Sequence, residues 1–147
     1  MSLVSPLARN GWSERHLVTM VALCVIGIAL MHEAWADILH LAMGSEESYH
    51  IFLVPLIFGW LVWVRRERFR YCRPVDTWLG PVLVLAGWGL STFGYYHAVE
   101  SFWHGGAVVV LIGCVVAVMG REVLVRFAPA FVVLIFLVPV TGRFRQP

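Results

Sequence analysis

Charge is scarce in this chain of 147 residues: Asp, Glu, Lys and Arg supply 14% of it, where a soluble domain carries about 25%. Lysine is absent, so all eleven basic residues are arginine. Cysteine is sparse and odd in number, three in all, which excludes a disulfide framework. What fills the chain is apolar: 60% of residues are hydrophobic and mean hydropathy is +0.79. A globule this small has too little polar sequence to cover itself. The composition argues against a soluble enzyme, a disordered tail and a nucleic-acid binder. A net charge of +2 is too small to imply a polyanionic partner.

A helix crossing the hydrocarbon core needs about 20 mostly apolar residues. Five runs approach that, at 17–36, 51–64, 78–96, 102–119 and 123–140. Lipid gives backbone groups no partner, so helices are expected. The predicted fold is an all-α, polytopic transmembrane helix bundle of about five spans. Pro55 and Pro81 are placed in first turns, where a missing N–H is harmless, and Pro139 is placed as a terminator of the fifth span.

Arginine sets the expected orientation. Arg65, Arg66, Arg68, Arg70 and Arg73 crowd the connection at 65–77, which the positive-inside rule puts in the cytoplasm. The segment 1–16, with Arg9 and Arg15, and the turn 120–122, with Arg121 and Arg126 beside it, fall on the same side. Connections 37–50 and 97–101 and the tail 141–147, with Arg143 and Arg145, fall outside. The N-terminus is thus expected inside and the C-terminus outside, in the cell inner (plasma) membrane. Trp60, Trp63, Trp78, Tyr95, Tyr96, Phe102 and Trp103 sit at the predicted interfaces. A rival reading takes the first apolar run as a signal peptide cleaved near Ala34-Trp35-Ala36.

Spans three and four carry matching rows of small residues: Gly80, Gly87, Ser91 and Gly94 on one, Gly106, Gly113, Ala117 and Gly120 on the other. Each row lies on one helical face, and small residues let membrane helices approach closely. The short connection predicts an antiparallel hairpin with Gly94 near Gly106 and Gly80 near Gly120.

Chemistry-bearing residues gather on the outer side. His32, Glu33, Asp37, His40, Glu46, Glu47 and His50 border the first outer connection, and His97, Glu100 and His104 the second. A wet loop and a shared functional site both fit them. His97, Glu100 and His104 have a spacing that could serve zinc on a helix face, and His50 with His97 could hold haem. Neither is assigned. Cys24 and Cys114, inside spans, read as packing residues. Cys72, between Arg70 and Arg73, has a setting that favours thiolate, yet no histidine is near it in sequence and it reads as incidental. Arg65-Arg66-Glu67-Arg68 reads as a topological anchor touching anionic headgroups. It abuts a span, which argues against nucleic acid.

Trp35-Ala36-Asp37, then Ser48-Tyr49-His50-Ile51-Phe52-Leu53-Val54-Pro55-Leu56, then Trp63-Val64-Arg65-Arg66, resembles the N-terminal half of exosortases. Tyr49 and Ile51 depart from the family's Tyr-Ser-His-Gly order. Ala128-Pro129-Ala130-Phe131, Leu134 to Val140 and Gly142-Arg143-Phe144-Arg145-Gln146 are similar to later family stretches. The resemblance covers residues 30–147. It implies an integral-membrane cysteine transpeptidase or protease that processes C-terminal sorting signals of exported proteins, linked with exopolysaccharide or surface-protein export. The implied partners are the lipid bilayer and proteins bearing such signals. The resemblance also implies an outer Cys, His and Arg, acting as nucleophile, proton carrier and cation beside the oxyanion in that order.

None of Cys24, Cys72 or Cys114 matches that nucleophile by motif or by side, so no catalytic, cofactor or metal residue is carried over. The chain is expected to be the front portion of such a protein and to be inactive alone. The alternative is a small non-enzymatic multi-pass membrane subunit that binds haem, metal or a partner protein.

Overall fold

The computed structural model describes residues 13–44, 50–73 and 77–138, apart from the side chains of His50 and Arg70. Arg9, Glu46, Glu47, Pro139, Arg143 and Arg145, with the expectations attached to them, lie outside the described residues. Among the described residues seven α-helices and one 3₁₀ turn follow in order: α1 (Glu14–Leu30), α2 (His32–Gly44), α3 (His50–Val64), the 3₁₀ turn (Arg66–Tyr71), α4 (Leu79–Tyr96), α5 (Glu100–Met119), α6 (Arg121–Arg126) and α7 (Ala128–Ile135). The fold class is all-helical, and no strand occurs among the described residues.

Only α5 is by itself long and apolar enough to cross a membrane, among the described residues. α1, with 17 residues, and α3, with 15, fall short of a comfortable span of about 20. α4 has the length, but its glycines, Ser91, Thr92 and tyrosines dilute its hydropathy.

Two predicted spans are broken helices. The run 17–36 bends at Met31, where α1 and α2 meet at 81°. No proline or adjacent glycine forces this. The bend turns Ala34, Ile38 and Ala42, one every fourth residue, onto the core, and α2 lies across the bundle rather than along it. The run 123–140 breaks at Phe127, between α6 and α7. Pro129, early in α7, has no N–H for the preceding turn and its ring crowds that turn. Pro55 is also displaced from expectation: α3 starts at His50, so the proline sits inside the helix. As the sixth residue of α3 it lies beyond the first turn.

The bundle is organised around the antiparallel pair α4 and α5. A methyl group placed on Gly80 would strike the backbone of Ala117, one on Gly94 the backbone of Trp103, and one on Gly106 the backbone of Ser91. On Gly87 it would lie 2.7 Å from Val110 N, and on Gly113 2.8 Å from Val84 N. The two rows of small residues therefore do face each other, but in a register shifted by three residues from the prediction. Gly94 opposes Trp103 rather than Gly106, and Gly80 opposes Ala117 rather than Gly120. The Ser91 hydroxyl donates to Trp103 O at 3.0 Å across the contact.

The connection between the two helices sets that register. His97 caps α4, Ala98 N–H bonds Tyr95 O, and Val99 N–H reaches back to Gly94 O at 2.9 Å. This is a Schellman ending, whose left-handed position is usually glycine. Here it is Ala98, with φ 53°. At the other end of α5, Gly120 takes φ 78° and turns the chain into α6.

α1 packs on the face of α5 at Gly27, where an added methyl would meet Cys114 Sγ at 3.2 Å. α3 and α7 pair on another side through Phe58 and Phe131, ring centroids 6.2 Å apart. The core lies between α2, α3, α5 and α7, centred on Ile38, Val54, Val108, Phe127 and Phe131. Outward, Val18, Val25, Leu56, Trp60, Leu85 and Ile135 are exposed. So large an apolar exterior suits a hydrocarbon surrounding.

Gly106→Ala is expected to destabilise the folded chain by about 1–3 kcal/mol, because overpacking forces two backbones apart. Gly59→Ala, where the added methyl meets nothing within 4 Å, is expected to be neutral or stabilising by up to about 1 kcal/mol. Thermal unfolding in detergent micelles measures both, and equal losses would contradict the packing described.

Candidate functional site

The two ends of the bundle differ chemically. α5 runs about 30 Å at roughly 1.5 Å per residue, and the polar features of the described residues divide between its ends.

At the α5 N-terminal end, His104 is completely buried and Asp37 comes to it from α2. His104 Nε2 lies 2.9 Å from Asp37 Oδ2. A carboxylate only accepts, so Nε2 carries the shared proton. Asp37 keeps partial contact with the surroundings, its side chain 42% exposed. His104 Nδ1 is buried without a hydrogen-bond partner. The ring lies against Trp103, centroids 4.9 Å apart, and Val138 approaches the next residue: a methyl on Gly105 would meet its Cγ2 at 3.7 Å. The result is an imidazole fixed in tautomer and orientation by a carboxylate, with a bare nitrogen turned inward. Such a nitrogen can accept a proton or a hydrogen bond from an O–H, N–H or S–H group.

Of the seven outer residues singled out from sequence whose side chains are described, the structure joins only these two. His32, Glu33, His40 and Glu100 are exposed. His97 stacks on Phe93, centroids 4.2 Å apart, as the cap of α4. The face that would align His97, Glu100 and His104 does not form, because α5 begins at Glu100 and His97 belongs to the preceding turn. No group of three or more metal-ligating side chains occurs among the described residues. The His50 side chain lies outside the described residues, and the haem pairing with it. The Asp37–His104 pairing was not found from sequence. The residues stand far apart in the chain, and only the bend at Met31 aims Asp37 at α5.

At the opposite end, the arginine-bearing 3₁₀ turn packs against α6. Arg65 Nη1 donates to Arg126 O at 3.4 Å, and Arg73 N donates to Glu122 Oε2 at 3.4 Å. Arg66 lies 4.5 Å over the Trp63 ring, and Arg126 lies 5.7 Å from the Tyr71 ring centre. Phe69 and Phe127 stack beneath, centroids 4.4 Å apart.

Cys72 closes the 3₁₀ turn and corrects the reading of its neighbourhood. It is fully buried, and its Sγ donates to Arg68 O at 3.5 Å. Burial pushes its thiol pKa up; Arg126 opposes this and Glu122 adds to it. Desolvation of the thiolate outweighs the nearby cation, so this is not the activated thiol that flanking arginines suggested. Cys24 lies within α1 and Cys114 within α5, beside one another across that contact. Cys114 is about 15 Å along α5 from His104, at roughly 1.5 Å per residue.

The family model that matches is described as Transmembrane exosortase (Exosortase_EpsH), and it covers residues 35–147. Neither a curated protein nor a solved structure matches the chain.

Asp37→Ala is expected to cost about 1–3 kcal/mol by leaving a buried N–H without an acceptor. Asp37→Asn, which keeps one, should cost less. A double-mutant cycle with His104→Ala, followed by thermal unfolding, should give a coupling energy of about 0.5–3 kcal/mol, and zero coupling would rule the pair out.

Proposed function

The chain belongs to the transmembrane exosortase family, and from that premise we propose that it serves the processing of C-terminal sorting signals of exported proteins. Family membership puts it in a membrane. The observation that carries the finer reading is the match itself, which runs from the Asp37 end of α2 through α7.

In this reading the bundle crosses the inner membrane about five times. The arginine end, with Arg65, Arg66, Arg68 and Arg126, faces the cytoplasm, as the positive-inside rule requires. The Asp37–His104 end then faces outward, towards exported proteins and the exopolysaccharide or surface machinery they serve. There His104 offers an oriented proton acceptor. Covalent catalysis also needs a nucleophile within about 2.6–3.2 Å of its base. The chain's three thiols do not supply it: Cys24 and Cys114 lie within helices, and Cys72 is buried at the arginine end.

Topology is tested by single-cysteine labelling in intact cells. Glu67→Cys is expected to resist a membrane-impermeant maleimide, and Glu33→Cys to react. Labelling of Glu67→Cys from outside would reverse the orientation.

Activity is tested by co-expressing these 147 residues with a substrate bearing a C-terminal sorting signal, a full-length family member serving as positive control. No processing is expected. Processing that disappears with Cys24→Ala, Cys72→Ala or Cys114→Ala would identify one of these thiols as the nucleophile and overturn its placement.

A further inference from the structure

A cavity of about 290 Å³ opens at the arginine end, between α1, α3, α5 and the α6–α7 break. Its walls include Leu17, Met20, Phe58, Met119 and the stacked Phe69 and Phe127, and every lining side chain is apolar. Such a space gives water no hydrogen-bond partner and stays dry or takes an apolar guest. Arginines neighbour its lining residues in the chain. Arg126 immediately precedes Phe127, Arg65 donates to the Arg126 carbonyl, and Arg68 immediately precedes Phe69. Among the described residues the one ion pair is Asp37 with His104, at the other end of the bundle. Among the described residues, no carboxylate therefore forms an ion pair with these guanidiniums.

We propose that this end of the bundle holds one anionic glycerophospholipid, with an acyl chain in the cavity and its phosphate at Arg65 and Arg126. An apolar slot near guanidiniums that have no ion-pair partner among the described residues matches an amphiphile of negative charge: the slot takes the chain and the planar N–H forks take the phosphate oxygens. A bilayer leaflet rich in anionic lipid supplies such molecules next to the site. The tilted stacking of Phe69 on Phe127 ties the two arginine-bearing elements together, so an occupied cavity braces the 3₁₀ turn against α6. The site goes beyond the sorting reading and needs only that the chain sits in a bilayer, so each can fail without the other.

Native mass spectrometry of the full chain in detergent, with equimolar palmitoyl-oleoyl phosphatidylglycerol and phosphatidylcholine, tests it. One phosphatidylglycerol should be retained, at about tenfold preference over phosphatidylcholine. Arg65→Gln with Arg126→Gln should bring the two lipids to near-equal retention. Met119→Trp, which fills the cavity and leaves the charge intact, should remove the bound lipid. Val115→Phe replaces it if circular dichroism shows that Met119→Trp fails to fold. Equal retention of both lipids by the unaltered chain would overturn the proposal. So would retention that survives cavity filling, which marks binding by surface charge, or retention of neither lipid, which marks a cavity closed by another protein segment.

Discussion

Backbone-to-backbone contact between α4 and α5 is the constraint on which the other helices depend. In lipid, apolar side chains gain nothing by leaving one apolar surrounding for another, so helices hold together by packing and by hydrogen bonds between them. Here five glycines remove the side chains that would keep the two axes apart, and Ser91 adds a hydrogen bond across the seam. The pair then presents one broad surface. α1 docks on it at Gly27, α2 crosses it at His104, and α6 and α7 fold back from Gly120.

This scaffold also separates the chemistry. His104 and Glu122 are held near opposite ends of the α5–α6 stretch, so the carboxylate–imidazole pair and the arginine cluster occupy different ends of one bundle. Each end uses its polar groups differently. At the arginine end guanidiniums meet carbonyls and ring faces. At the other, a single carboxylate satisfies one imidazole nitrogen and leaves the second bare. The thiols follow neither pattern. Cys72 shows why sequence neighbours mislead about reactivity: its flanking arginines matter less than the apolar packing around the sulfur.

Features that depend on period and composition were legible in the sequence. The helical class, the facing rows of glycine and the arginine-rich connection all follow from residues close together in the chain. The register of α4 against α5 did not follow, because rows of small residues show which faces meet but not their offset. The three hydrogen-bonded residues after Tyr96 fix that offset, and Ala98 in a position usually held by glycine hid the motif. The bend at Met31 has no local signal at all; it is tertiary, driven by the burial of Ala34, Ile38 and Ala42. The Asp37–His104 pair follows from that bend, so it was as invisible as its cause. The break at Phe127 was legible in principle, since Pro129 marks it.

The Schellman ending at Ala98 also bears on the order of assembly. α4 and α5 are neighbours in sequence joined by a three-residue turn, so their many contacts close short loops and carry little entropic penalty. α1 is made first, yet the surface that receives Gly27 is the Val110–Cys114 face of α5, which is synthesised far later. During translation the first helix therefore exists before the face that receives it, while the hairpin can close as soon as α5 is made. The turn at Ala98 thus lets α4 and α5 pack on each other before α1 has its partner face.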